Sequence, residues 1–181
     1  MTKTHTSAVV IIPPKNKWEP IQKIRRQYDK KVDRWMPHIN LLYPFHSKNE
    51  YNDLKKDFTQ ACSNIKPFEI KLDKFKYFRH NYQTYTVWLL PGPQKPIEDL
   101  QAKILKLVPT CNNVNMFLGG FQPHLSVGQF ITYKIQTQIQ KLEKTWPGVR
   151  FLVDKIYFIN RANQKNSKFS VIETIPLGNR K

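Results

Sequence analysis

Apolar positions along the chain follow two periods, one near two residues and one near three and a half, and the switches between them divide it into strands and helices. Residues 8–12 are an unbroken apolar run closed by Pro13 and Pro14, which predicts a buried strand; Ile21, Ile24 and Tyr28 then recur at helical spacing. The order repeats, with a strand over residues 38–45 followed by Leu54, Phe58, Cys62 and Ile65 on one helical face. Residues 68–78 alternate, Phe68, Ile70, Leu72 and Phe75 facing one way and Glu69, Lys71 and Asp73 the other. Residues 84–90 supply an antiparallel partner through a hairpin connection at 79–83. Beyond Pro91-Gly92-Pro93, Ile97, Leu100, Ile104 and Leu107 mark a helix, and a polar loop over 109–120 leads to a strand over 124–130. Ile135, Ile139, Leu142 and Trp146 mark a further helix, and two closing strands, 151–159 and 169–175, flank a polar loop. Strand-rich stretches joined by helices, with no linker between them, predict an α+β fold in one domain spanning residues 1–181.

One motif occurs twice. Met36-Pro37-His38-Ile39-Asn40-Leu41 is echoed by Gln122-Pro123-His124-Leu125-Ser126-Val127, with the same order of proline, histidine, aliphatic, small polar and aliphatic residues. The histidines lie 86 positions apart, close to half the chain, and each copy precedes a helix. That spacing predicts two pseudo-symmetric lobes of antiparallel-rich sheet backed by helices, with a central cleft between them. On a strand, His38 and Asn40 point to one face, as do His124 and Ser126, so two imidazoles and two hydrogen-bonding groups would line the cleft.

These tetrads resemble the signature of the 2H phosphoesterase superfamily, which includes bacterial 2′-5′ RNA ligase-like proteins, RNA cyclic phosphodiesterases and animal A-kinase anchoring protein domains. The flanking runs 35–45 and 121–130 look like a eukaryotic branch of it. The resemblance covers most of the chain, with one departure: Asn40 stands where the family pattern has Ser or Thr. It implies a bilobal 2H phosphoesterase-like fold and a phosphodiesterase that opens 2′,3′-cyclic phosphates or cleaves 2′-5′ linkages at RNA ends. His38 and His124 would be its general acid and base, needing neither metal nor cofactor. Asn40 and Ser126 would hold phosphoryl oxygens, and Tyr43, Arg161 and Gln122 are further candidates for contacts to ribose, phosphate or base. Because Asn40 departs from the pattern, a weak or inactive module that binds RNA ends or nucleotides stands as the alternative.

Charge agrees with an anionic partner. Thirty Lys and Arg against thirteen Asp and Glu give +17, spread as +9 over residues 1–90 and +8 over 91–181, so the field belongs to the folded body. RNA, an oligonucleotide or a nucleotide is the expected partner of a monomeric protein. Arg25-Arg26 and Lys30-Lys31 are expected on the solvated face of a helix. The only cysteines, Cys62 and Cys111, form no CxxC pair and suit a reducing compartment. The apolar run at 8–12 is too short for a membrane span, so an intracellular location, cytoplasmic or nuclear, is expected. His38 and His46 share one segment without HExxH or CxxC spacing, which argues against a metal site. His5, His46 and His80 carry no echo and read as structural or surface residues, and Trp35 and Tyr43 lean towards packing.

Overall fold

The computed structural model describes residues 2–116 and 119–178, so the 109–120 loop is described except at positions 117 and 118. Strand β1 (Lys3–Thr4) is followed by β2 (Ser7–Ile11), helix α1 (Trp18–Tyr28), β3 (Ile39–Leu42), β4 (Phe45–His46) and α2 (Tyr51–Ser63). The long hairpin β5 (Phe68–Arg79) and β6 (Thr84–Gly92) leads to α3 (Lys95–Leu105), β7 (Leu125–Ile131) and α4 (Ile135–Thr145). Strands β8 (Val149–Val153), β9 (Lys155–Asn160) and β10 (Ser170–Pro176) close the chain. Two four-stranded antiparallel sheets result, ordered β10-β9-β2-β3 and β7-β6-β5-β8, with β1 and β4 forming a small ribbon. Among the described residues no helix is long and apolar enough to cross a membrane.

The core explains the sequence pattern. Val9 and Ile11 of β2 face the main core, while Ala8 and Val10 face a second apolar layer with Ile159 and Phe169, so both faces of this strand are covered and its sequence does not alternate. In β5, Ile70, Leu72 and Phe75 are buried and Glu69, Lys71, Lys74 and Lys76 exposed, because only one face of that sheet meets the helices. Leu54, Phe58 and Cys62 place the apolar stripe of α2 against the sheet of β10, and Ile135 and Ile139 place that of α4 against β5.

The chain runs β2-α1-β3-α2 in one lobe and β6-α3-β7-α4 in the other, and β3 and β7 occupy equivalent edges of the two sheets. The lobes exchange helices across this symmetry. Helix α1 packs on β7, and α3 packs near β3. Gly128 of β7 permits that approach: at φ +154° it faces Tyr28, and a Cβ there would lie 2.5 Å from the Tyr28 Cβ.

Three expectations are corrected. The strand read over 151–159 is two strands: β8 pairs with β5, the chain turns at Asp154, and β9 pairs with β2 in the other sheet. No Gly or Pro punctuates that stretch, so periodicity carried no sign of the change of sheet. The strand read over 38–45 is interrupted at Tyr43-Pro44, dividing β3 from β4. Arg25 is buried, only 2% exposed, while Arg26 is exposed and pairs with Glu19, and Lys30 and Lys31 lie beyond the end of α1. Burial of Arg25 is tolerated because each of its three guanidinium nitrogens has a partner. Nε and Nη2 reach Asp29 at 2.9 and 2.8 Å, Nη1 donates to Gln22 at 2.9 Å, and Nη2 donates to the Trp35 carbonyl at 2.9 Å.

Candidate active site

His38 and His124 each sit immediately before the first residue of an edge strand, β3 and β7, and these two strands lie against each other. Both histidines follow a buried proline, Pro37 or Pro123. In both, Nδ1 donates to the carbonyl of the residue before that proline, Met36 at 2.7 Å and Gln122 at 2.8 Å. A carbonyl can only accept, so the proton of the neutral ring resides on Nδ1 and the lone pair on Nε2. The sequence echo is therefore an echo of tautomer: two imidazoles with the same nitrogen held by the backbone and the same nitrogen left for chemistry.

Their surroundings differ. His38 lies flat on Trp35, ring centroids 4.6 Å apart, and Trp35 is stacked on Phe169 at 3.7 Å with Tyr43 edge-on at 5.5 Å. Burial pushes His38 down to about 4 against the pull of its backbone hydrogen bond, and the positive charges of Arg25 and of protonated His124 lower it further. His124 meets the edge of Phe78 at 5.1 Å and lies 5.7 Å from Trp88, and burial lowers its pKa too, against the Gln122 hydrogen bond.

Asn40 shares the face of His38, opposite Val10, and its Oδ1 is buried without a hydrogen-bond partner. Ser126 shares the face of His124, opposite Trp88, whose Nε1 is likewise buried without a partner. The structure brings His38, Asn40, Tyr43 and Arg161 to one side of the cleft. Tyr43 donates to the His5 carbonyl at 3.3 Å; burial raises its pKa, while Arg161 and Arg34 lower it, so both arginines lie close by. Arg161 spans the 160–168 loop, Nη1 donating to the Ala162 carbonyl at 3.0 Å and to Ser167 at 3.2 Å, with its guanidinium carbon 5.7 Å from the Phe169 ring and its Nε buried without a partner. Gln122 contributes its carbonyl to His124, and its side chain is exposed. His46 belongs elsewhere, buried with Nδ1 3.3 Å from Glu50.

The sequence pattern misread Arg25 as solvated and left Phe78, Trp88 and Phe169 unmarked as neighbours of the site. Of these only Phe78 left a trace, at the end of an alternating strand; the rings meet through sheet pairing and loop packing, which no short-range spacing reports.

The family model of the 2′-5′ RNA ligase superfamily matches residues 13–165. The chain belongs to this superfamily. These are the 2H phosphoesterases that the paired tetrads resemble. A Geobacillus kaustophilus (strain HTA426) protein, GK0864, whose name proposes a phosphoesterase, is 25% identical over 178 residues, covering 94% of this chain and 95% of its own. The fold is that of TT0787 from Thermus thermophilus, at TM-score 0.63 and 14% identity over 96% of this chain and 99% of that one. E. coli LigT, solved with phosphate, gives TM-score 0.61 at 13% identity over 98% and 100%. LigT solved with 3′-AMP gives 0.63 at 12% identity over 96% and 98%.

Proposed function

We propose that this superfamily member is a metal-independent phosphodiesterase of RNA ends or small oligonucleotides, opening 2′,3′-cyclic phosphates or cleaving 2′-5′ linkages with His38 and His124 as its acid and base. One observation carries the reading: both imidazoles are held at Nδ1 by a backbone carbonyl on facing edge strands, each keeping Nε2 for proton transfer. One neutral Nε2 takes a proton from water as its oxygen attacks phosphorus. The other, protonated, gives its proton to the ribose oxygen as the P–O bond breaks, leaving a phosphomonoester. Each transfer is worth about 10² to 10⁴ in rate. Asn40 and Ser126 donate to the non-bridging oxygens, Asn40 through its amide nitrogen, and Arg161 and Tyr43 hold the sugar-phosphate on the His38 side. That LigT has been solved with phosphate and with 3′-AMP supports a nucleotide-like ligand for this fold.

The test is incubation with a 2′,3′-cyclic nucleotide and a cyclic-phosphate-ended oligonucleotide in the presence of chelator. Hydrolysis by the wild type, lost by about 10² to 10⁴ in both His38→Ala and His124→Ala, is the expected result. The second reading, a module that binds RNA ends or nucleotides without turning them over, draws on Asn40 in the Ser or Thr position. Salt-sensitive binding with no turnover by the wild type would establish it and overturn the first.

A further inference from the structure

The two walls of the cleft differ in chemistry. The face of the sheet β10-β9-β2-β3 turned away from the main core is apolar, built from Ala8, Val10 and Ile159 and covered by Trp35, Phe169 and Tyr43. The open face of β7-β6-β5-β8 is cationic. Cross-strand partners share a face, and the register lines up Ser126, Trp88 and Lys76 in one row and Leu90 with Lys74 in the next, beside His124. Lys71 pairs across to Arg150 on the same face. Strands lie roughly 4.8 Å apart, so Lys74 and Lys76 stand roughly 10 Å from the edge that carries His124.

We propose that this face is the track of a single-stranded RNA whose reacting end lies at the two histidines, with Phe78, backed by the buried Trp88, beneath its terminal base and Lys76, Lys74, Lys71 and Arg150 along its phosphates. The inference rests on the RNA-end reading above and specifies its substrate class: an oligonucleotide in preference to a mononucleotide. Three observations carry it. Lys74 and Lys76 are exposed and have no acidic partner among the described residues, so their charge faces the cleft side uncompensated. Lys71 and Arg150 are held only by exposed pairs, to Asp73 at 2.9 Å and to Glu69 at 3.0 Å, which contribute little and are readily exchanged for phosphate. A groove of about 410 Å³ continues the path beyond them, where Lys71, Lys74 and Arg150 outnumber the two carboxylates of its lining, Glu69 and Asp73.

Charge complementarity selects a polyanion, and the rings select a single strand. Phe78 is half-buried and stacked at 5.0 Å on Trp88, which is itself buried, and both rings lie against His124, so a base laid on Phe78 sits beside the reacting phosphate. A duplex keeps its bases inside and leaves this platform unused.

The experiment compares the wild type with Lys74→Glu/Lys76→Glu, two exposed substitutions, on a 2′,3′-cyclic mononucleotide and on an RNA pentamer ending in the same cyclic phosphate. The wild type is expected to favour the pentamer by about tenfold or more in kcat/KM at low salt. The double variant is expected to lose that preference while turning over the mononucleotide within about twofold of wild type. A wild type with no preference, a variant that keeps it, or an equal loss on both substrates overturns the track. Turnover of neither substrate by the wild type sinks the hydrolytic reading instead. The track is then decided by binding of a 3′-phosphorylated pentamer, where the variant's slope of log affinity against log salt should fall by about 1.4. An unchanged slope, or duplex RNA bound as tightly as the single strand, overturns it.

Discussion

Because Nδ1 of each histidine faces a carbonyl, each ring has only Nε2 left to meet substrate. On the proposed reading His38, held at about 4 by burial against Trp35 with Arg25 nearby, serves as the base and His124 as the acid. An aryl phosphodiester with a good leaving group tests this. His124→Ala should lose far less activity on it than on a cyclic nucleotide, whereas His38→Ala should lose as much on both; the reverse pattern exchanges the roles. Both rings are neutral in the free protein near pH 7, so the acid gains its proton as the anionic substrate binds. The profile of kcat/KM should therefore be bell-shaped with its optimum below pH 6.5, and an optimum above pH 7.5 would rule this arrangement out. Stability follows the same proton. Between pH 6.5 and about 4 the unfolded chain protonates His38 while the native state resists, so stability present above pH 6.5 is lost as pH falls, by about 3 kcal/mol at most. Urea titrations of wild type and His38→Asn across this range should diverge, the variant keeping the shallower acid dependence.

Helix α1 ties the two histidines together, although it carries neither. It lies on β7, the strand that follows His124, through the stack of Tyr28 on Phe130 at 4.1 Å and the close approach at Gly128. Its Arg25 holds the Trp35 carbonyl, in the segment whose Met36 carbonyl holds His38. Arg25 is thus a positioning residue. Replacing it alone would strand Asp29, so the informative variant is Arg25→Gln with Asp29→Asn. This protein should fold, lose between about 10- and 100-fold in kcat with KM within about threefold, and show the His38 limb of its pH profile moved slightly upward, because the lowering by Arg25 outweighs the raising by Asp29 that is removed with it. An unchanged profile would reduce Arg25 to a structural role. Gly128→Ala forces Tyr28 away and should destabilise by about 1–3 kcal/mol, read as a lowered Tm. None of this was legible in the sequence, where Arg25 looked like one half of a solvated pair. What was legible depends on short range: β5 from its alternation, α2 and α3 from their stripes, and the site from two Pro-His tetrads whose own backbone fixes the rings. Arg25, Trp88 and Phe78 acquire their places from partners distant in sequence, which periodicity does not encode.

The lobes match in element order, yet only one of them is a continuous piece of chain. The sheet β7-β6-β5-β8 is drawn from residues 68–153, and its companion from residues 7–42 and 155–176 on either side of it. The path crosses between sheets at Asp154, whose carbonyl accepts from Leu177 at 2.8 Å, and the exchange of α1 and α3 gives each edge strand a helix from the other lobe. A cleft between two sheets usually invites independent motion of its walls, but here the main core runs through both lobes, from Val9 and Ile11 to Val149 and Phe151. The molecule should therefore unfold as one unit, with no state in which one lobe stands alone. Its tryptophans can report this separately. Trp88 and Trp146 belong to one lobe, Trp146 donating to the Leu72 carbonyl at 2.8 Å, while Trp18 and Trp35 belong to the other. Urea transitions followed by fluorescence in Trp18→Phe/Trp35→Phe and in Trp88→Phe/Trp146→Phe should each coincide with that variant's own circular dichroism transition. A fluorescence midpoint displaced from the dichroism midpoint in either variant would mean that the lobes uncouple, and that the spacing of the two histidines is set by hinge motion and not by the shared core.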